Sequence, residues 1–267
     1  MFEKTLDLLF PRRCILCDEI LQYGERGIHK KCKPMLFPVE EPVCMHCGRP
    51  VVSERAEYCF DCSRHKGTTF VQGKSLYVYR GQIKMTMYRF KYSNRREYGD
   101  YLAKELAERY GDWLMKKGIE AIAPVPMYRR KEKLRGYNQA AVLATKLRRE
   151  LIKRQRRLQR QRLQPQPQHR RQHLSSQSQL PGIPALERNL VLRVRNTRPQ
   201  KELNDIERKN NLKNAFQTRE KVVKYKKILL IDDIYTTGST ADAVAEALYR
   251  AGVQQVFFLS VCIGQGM

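Results

Sequence analysis

No window of this 267-residue chain approaches the ~18 consecutive apolar residues of a membrane-spanning helix, so membrane insertion is not expected. Residues 1–10 hold a short apolar run, but Glu3 and Asp7 interrupt it and no small-residue cleavage site follows. No secretion signal is read there, and the cytoplasm is the expected compartment. Acidic residues are scarce: 27 Asp+Glu stand against 52 Lys+Arg, a net charge of +25. The excess favours polyanionic partners such as nucleic acid without identifying one. Cysteine is almost missing after residue 62, where Cys262 stands alone. The length permits one large or two small domains.

What the chain does have is a cysteine-rich head. Seven of the eight cysteines fall at 14–62, as Cys14-x-x-Cys17, His29-x-x-Cys32, Cys44-x-x-Cys47 and Cys59-x-x-Cys62. In a reducing compartment such clusters argue for metal over disulfides. Each pair places two ligands on one turn, and two turns complete a tetrahedral site. The simplest partition is sequential: Cys14, Cys17, His29 and Cys32 hold one Zn²⁺, and Cys44, Cys47, Cys59 and Cys62 hold another. Spacing alone also permits a cross-braced pairing. His46 and His65 are read as bystanders. With every ligand supplied by protein, both ions would be structural, stapling a segment too short and aliphatic-poor to fold unaided.

After the head the pattern changes to alternating strands and helices. Residues 70–79 read as a strand or hairpin, 85–92 and 98–115 as helices, and 119–123 as a buried strand ended by Pro124-Val-Pro126. A basic loop then precedes a helix from about Ala140. Arg129, Arg130 and Arg135 are its candidates for holding a pyrophosphate, since guanidinium forks bind phosphate oxygens bidentately. A solvated charge run is the plainer reading. In the stretch Tyr88-Arg-Phe-Lys-Tyr92, packing into the core is favoured over base stacking.

Four aliphatics at 228–231 make a short buried strand that ends in Asp232 and Asp233. Tyr235-Thr-Thr-Gly-Ser-Thr240 follows, then a helix at 241–250 with Gly252 as its stop. Backbone N–H groups and hydroxyls of Thr236, Thr237, Gly238, Ser239 and Thr240 before a helix form an anion site. The two carboxylates stand where open α/β sheets place ligands, positioned for ribose hydroxyls. An ordinary strand–turn–helix with a Ser/Thr cap is the plainer alternative.

This stretch resembles the phosphoribosyl-pyrophosphate (PRPP) signature of type I phosphoribosyltransferases. Together with Pro124-Val-Pro126, Arg135-Gly-Tyr-Asn-Gln139 and the paired CxxC head, it resembles the ComF family. Further residues fit that family: Leu8-Leu-Phe-Pro-Arg-Arg-Cys14, Thr197-Arg-Pro-Gln200, Leu203, Arg208, Asn211 and Ala215-Phe216. The resemblance implies an α/β fold: a type I phosphoribosyltransferase-like parallel sheet at 67–267 behind a zinc-ribbon-like head at 1–66. It implies PRPP and Mg²⁺ at the acidic pair, a role in DNA uptake, transforming single-stranded DNA, and a competence helicase as partner. Catalysis would rest on positioning and electrostatics, with no covalent nucleophile, so no catalytic residue is assigned.

Three readings of the activity stay open. One is a phosphoribosyltransferase acting on an unidentified base or amine. Another is a DNA-handling module whose site binds PRPP or a nucleic-acid end. The last is a non-catalytic PRPP sensor. A combined reading is preferred, in which a PRPP-competent site serves DNA uptake.

One segment departs from the family. At about 148–186 Arg and Gln dominate, and 148–171 carries ten positive charges against Glu150. The first half can extend the preceding helix, and the second is too poor in aliphatics to bury a core. Such an arm can neutralise phosphates without reading sequence, or be an expansion without a role.

Overall fold

The computed structural model describes residues 11–64, 69–163, 182–196, 212, 214–219 and 224–266. His65, Leu8-Leu-Phe10, the motif residues from Thr197 to Asn211 and residues 164–181 of the basic insertion lie outside them.

Seven strands and six helices are formed among the described residues. In chain order they are α1 (Phe60–Arg64), β1 (Gln72–Val78), α2 (Ile83–Tyr92), α3 (Tyr98–Lys117), β2 (Ala121–Pro124), α4 (Arg129–Arg135), α5 (Gln139–Leu163), β3 (Ala185–Leu186), β4 (Val191–Arg193), β5 (Phe216–Thr218), β6 (Lys227–Tyr235), α6 (Ser239–Arg250) and β7 (Gln255–Ile263). Five strands make one sheet in the order β1-β7-β6-β2-β3, parallel at every junction. β4 and β5 form a separate antiparallel pair. The expected parallel α/β sheet is therefore present.

The aliphatic run of β6 is buried on both faces, as a central parallel strand must be. Leu229 and Ile231 join the core beneath α2, α3 and α5, while Ile228 and Leu230 face the α6 side. The head packs onto both cores. Cys14, Ile15, Leu16, Ile28 and Leu36 enter the first, and Val39, Cys44, Cys47 and Cys59 the second.

The head also closes the sheet. β1 is an edge strand, and an open edge offers unpaired backbone groups to any passing chain. Here Val78 donates its N–H to Phe37 O at 2.8 Å, and Val39 donates to Leu76 O at 2.8 Å. Gly73 donates to His46 O at 2.6 Å. Residues expected to belong to the head thus complete the edge of the α/β sheet.

Two local details differ from the sequence reading. The basic segment after β2 is not a loop but the short helix α4, closed by Gly136 in the left-handed region at φ 83°. The insertion's first half does continue α5, to Leu163. Asn138 starts that helix: its Oδ1 accepts from Ala140 N at 2.9 Å, and its Nδ2 donates to Val125 O at 3.0 Å. The Gly-Tyr-Asn-Gln motif is therefore a helix-to-helix joint anchored on the end of β2.

Candidate functional site

The two ligand clusters assemble by the sequential partition. Cys14, Cys17, His29 and Cys32 form one set and Cys44, Cys47, Cys59 and Cys62 the other, each with its donor atoms within 4.8 Å of one another. Tetrahedral zinc with Zn–S of about 2.3 Å sets sulfurs about 3.8 Å apart, and a sulfur and a nitrogen about 3.6 Å apart. Cys47 and Cys59 Sγ lie 3.6 Å apart, and His29 Nδ1 lies 3.3 Å from Cys17 Sγ and 3.9 Å from Cys32 Sγ. The donors fit the ion.

His29 is oriented as a ligand should be. Its Nε2 donates to Ile20 O at 3.0 Å, which fixes the ring with Nδ1 aimed at the sulfurs. His46 stays outside both sets, buried and stacked on Phe70 with ring centroids 4.2 Å apart.

The second candidate site lies at the carboxyl end of β6. Parallel strands leave a crevice at such an end, and β6 carries two adjacent carboxylates there, Asp233 against Lys91 of α2 and Asp232 within the field of Arg193. Asp233 is buried and held by Lys91 of α2, with Nζ 2.7 Å from Oδ2. Its Oδ1 accepts from Ile234 N at 3.0 Å, and Asp232 Oδ1 accepts from Asp233 N at 2.8 Å. Burial, and then the neighbouring Asp233 charge, push the Asp232 carboxyl well above the usual carboxylate range. Burial works against the Lys91 ammonium, but Asp233 outweighs it and lifts Lys91 above the ordinary lysine value.

Beyond Tyr235 the loop reaches Gly238, which takes φ 84° and forms the N-cap of α6. Only glycine suits this position, because a Cβ there would meet the Tyr235 hydroxyl at 2.4 Å. Thr236 and Thr237 are exposed, Ser239 and Thr240 are half-buried, and Thr237 Oγ1 lies 3.0 Å from Ser239 Oγ. Hydroxyls and the α6 N-terminus thus follow directly on the end of β6.

A cleft of about 670 Å³ lies between α4 and the β4 region, lined by Tyr128, Arg129, Arg130, Lys133, Arg193 and Val194. None of these is acidic. Burial holds Arg193 below its ordinary range, partly offset by the Asp232 charge. Lys131 is lowered by burial and then by repulsion from Arg193 and Arg135. The cleft is thus a region of positive potential, which favours an anion.

Arg129 and Arg130 therefore share the cleft, whereas Arg135 does not line it. Its guanidinium instead lies over the Tyr92 ring, 4.8 Å from the centroid. Lys91, Lys133 and Arg193 were not singled out from the sequence, because lysines and arginines are everywhere in a chain this basic. Only their convergence on the acidic pair and the cleft marks them.

The Tyr88-to-Tyr92 segment divides between the two readings offered for it. Phe90 is fully buried, as packing requires, but Tyr88 and Tyr92 are 55% and 61% exposed with ring centroids 5.1 Å apart. Two rings one helical turn apart form a surface pair, with Arg135 over one of them.

Comparison with known proteins matches this architecture. Residues 5–63 fit the model of the double zinc ribbon domain. Competence protein F of Haemophilus influenzae is 28% identical over 254 residues, covering 92% of this chain and 95% of that protein. Competence protein ComFC of Bacillus subtilis is 23% identical over 255 residues, covering 90% and 89%. These likenesses support membership of the ComF family. DNA utilization protein YhgH of Escherichia coli K12 is 26% identical over 258 residues, covering 96% of this chain and 98% of that protein. The double zinc ribbon accounts for the two structural zinc centres. No helix among the described residues is long and apolar enough to cross a membrane.

Proposed function

We propose that this ComF protein binds PRPP with Mg²⁺ in the crevice at the end of β6 and acts in DNA uptake in the cytoplasm. The observation that carries the reading is that β6 ends in Asp232 and Asp233 just before the hydroxyl-rich N-terminus of α6, with Arg193 of the basic cleft close enough to feel the Asp232 charge. A carboxylate pair, a hydroxyl-rich loop on a helix N-terminus and a basic cleft correspond in chemistry to ribose, 5′-phosphate and pyrophosphate. Asp232 and Asp233 would orient the ribose hydroxyls, directly or through Mg²⁺. The backbone and hydroxyls at 236–240 would receive the 5′-phosphate. Arg129 and Arg130, joined by Lys133 and Arg193, would take the pyrophosphate. Bound there, PRPP would be poised for phosphoribosyl transfer, with cations arranged for the charge of a departing pyrophosphate.

The names of the relatives, competence protein and DNA utilization protein, support the DNA-uptake half of the reading. Two surfaces suit single-stranded DNA. The inner turns of α5 have acidic partners on α3, such as Arg154 with Asp112 at 2.6 Å. Farther out Arg156, Arg157 and Arg160 are exposed, with no acidic partner among the described residues. The Tyr88–Tyr92 pair adds faces on which bases can stack. A competence helicase would hand the strand over.

Calorimetry with PRPP and Mg²⁺ tests the site. Wild type should bind, and the Asp232→Asn/Asp233→Asn double variant should not. No binding by wild type, or equal binding by the variant, removes the PRPP reading. Turnover of PRPP against bases, amines and DNA ends then identifies the acceptor.

A further inference from the structure

The second zinc centre and the 236–240 loop meet through one side chain. Arg49 follows Cys47 by two residues and is only 4% exposed. Its Nη2 donates to the carbonyl oxygen of Thr236 at 2.6 Å. Its Nη1 donates to Asp61 Oδ2 and lies 4.0 Å from the zinc-ligand sulfur of Cys59. Asp61 itself sits on α1 next to the ligand Cys62. Gly266 packs against the guanidinium, where a Cβ would clash with Nη1. The fork is thus held between Asp61 of the ribbon and the Thr236 carbonyl.

That orientation has a consequence for the loop. The Thr236–Thr237 peptide is trans, so its N–H points opposite to its C=O. A carbonyl drawn toward Arg49 turns the Thr237 N–H away from the ribbon, outward on the exposed side of the loop. A second tie from the segment after the head runs parallel: Thr69 N donates to Asp242 Oδ1 in the first turn of α6 at 3.0 Å.

We propose that Arg49 is a positioning residue that presents the 236–240 backbone to an anionic ligand and couples that presentation to zinc in the Cys44–Cys47–Cys59–Cys62 centre. The proposal rests on the phosphosugar reading of the loop. Coupling of this kind is reciprocal. An intact ribbon raises affinity for the phosphate, and a bound phosphate retains the zinc. The Cys14–Cys17–His29–Cys32 centre packs into the opposite core, away from Tyr235 and the loop it leads into, and is outside the coupling.

The test uses full-length zinc-loaded protein with PRPP and Mg²⁺ as the probe. Arg49→Lys keeps a charge but cannot span two acceptors with a fork. Asp61→Asn weakens the hold on the guanidinium while leaving Arg49 in place. Both should retain two zincs and wild-type far-UV circular dichroism, while PRPP affinity falls about 5–150-fold. In the wild type, PRPP should slow transfer of one of the two zincs to a chromophoric chelator, and in Arg49→Lys it should not. Wild-type binding matched by both variants, or PRPP without effect on zinc release, overturns the role of Arg49 and leaves the phosphosugar site standing. Failure of wild type to bind PRPP overturns the site reading and the role of Arg49 with it.

Discussion

Lys91 Nζ stands 2.7 Å from Asp233 Oδ2, an ion pair that joins α2 to the end of β6. Asp233 is nearly buried, so removing the lysine leaves a carboxylate that must either stay unpaired or take a proton. Lys91→Met should lower stability by about 1–3 kcal/mol, read from urea denaturation. Asp233→Asn in the Lys91→Met background should recover part of that loss, because the unpaired charge is gone. The folded pKa of Lys91 is raised, so its contribution is complete at neutral pH and is lost only as pH climbs through that raised value. Additive losses in the double-mutant cycle would show that the two residues do not interact.

Asp232 supplies the pH dependence. Its carboxyl is pushed up by burial and by Asp233, so over a range above the ordinary carboxylate pKa it holds a proton. A ligand that needs the ionised form must first remove that proton. Affinity for Mg²⁺ and PRPP should accordingly rise with pH through the raised value, whereas in Asp232→Asn binding should be weak and flat. Calorimetry across the series reads both slopes, and a wild-type curve independent of pH counts against Asp232 as a ligand.

Metal analysis should return about two zincs per chain. Thiol titration should then separate the cysteines into two classes. Burial pushes the Cys262 thiol well above its usual range, so it should remain unreactive until the protein unfolds. The seven ribbon cysteines should react only after chelation. Chelation should also expose the β1 edge that residues 37–39 cover, and aggregation followed by light scattering should accompany it. Seven thiols reactive in untreated protein would contradict a zinc-filled head.

For nucleic acid, Arg156→Gln/Arg157→Gln/Arg160→Gln should weaken single-strand binding and reduce the salt slope by about 2, given about 0.7 per phosphate contact. Tyr92→Ala should weaken it by about tenfold without changing the slope, since stacking of one base contributes about 1–3 kcal/mol. Filter binding across a salt series distinguishes the two effects. A triple variant with an unchanged slope would remove α5 from the DNA surface.

Much of this molecule was legible from local pattern. The alternation of strand and helix, the ends of β6 and α6, and the zinc donors are set by hydrophobic period, glycine placement and ligand spacing. Reading α4 as a loop failed because arginine and lysine are good helix formers as well as solvated residues, and a basic run does not announce which. The expected packing of Tyr88 to Tyr92 held for Phe90 alone, because a helix turns successive side chains to different faces.

By itself, then, the sequence determined the alternating α/β pattern, the zinc donors and the acidic pair beside a hydroxyl-rich loop, all of them features of near neighbours along the chain, while the division of the donors into two sets came from the fold. Tertiary structure alone decided which cations matter. Lys91, Arg193 and Arg49 lie far in sequence from the groups they meet, and in a chain with 52 Lys+Arg their identity carries no signal. Burial and convergence single them out: enclosure in a low-dielectric interior makes a charge costly unless something opposite answers it, and only the folded chain brings the answer within reach.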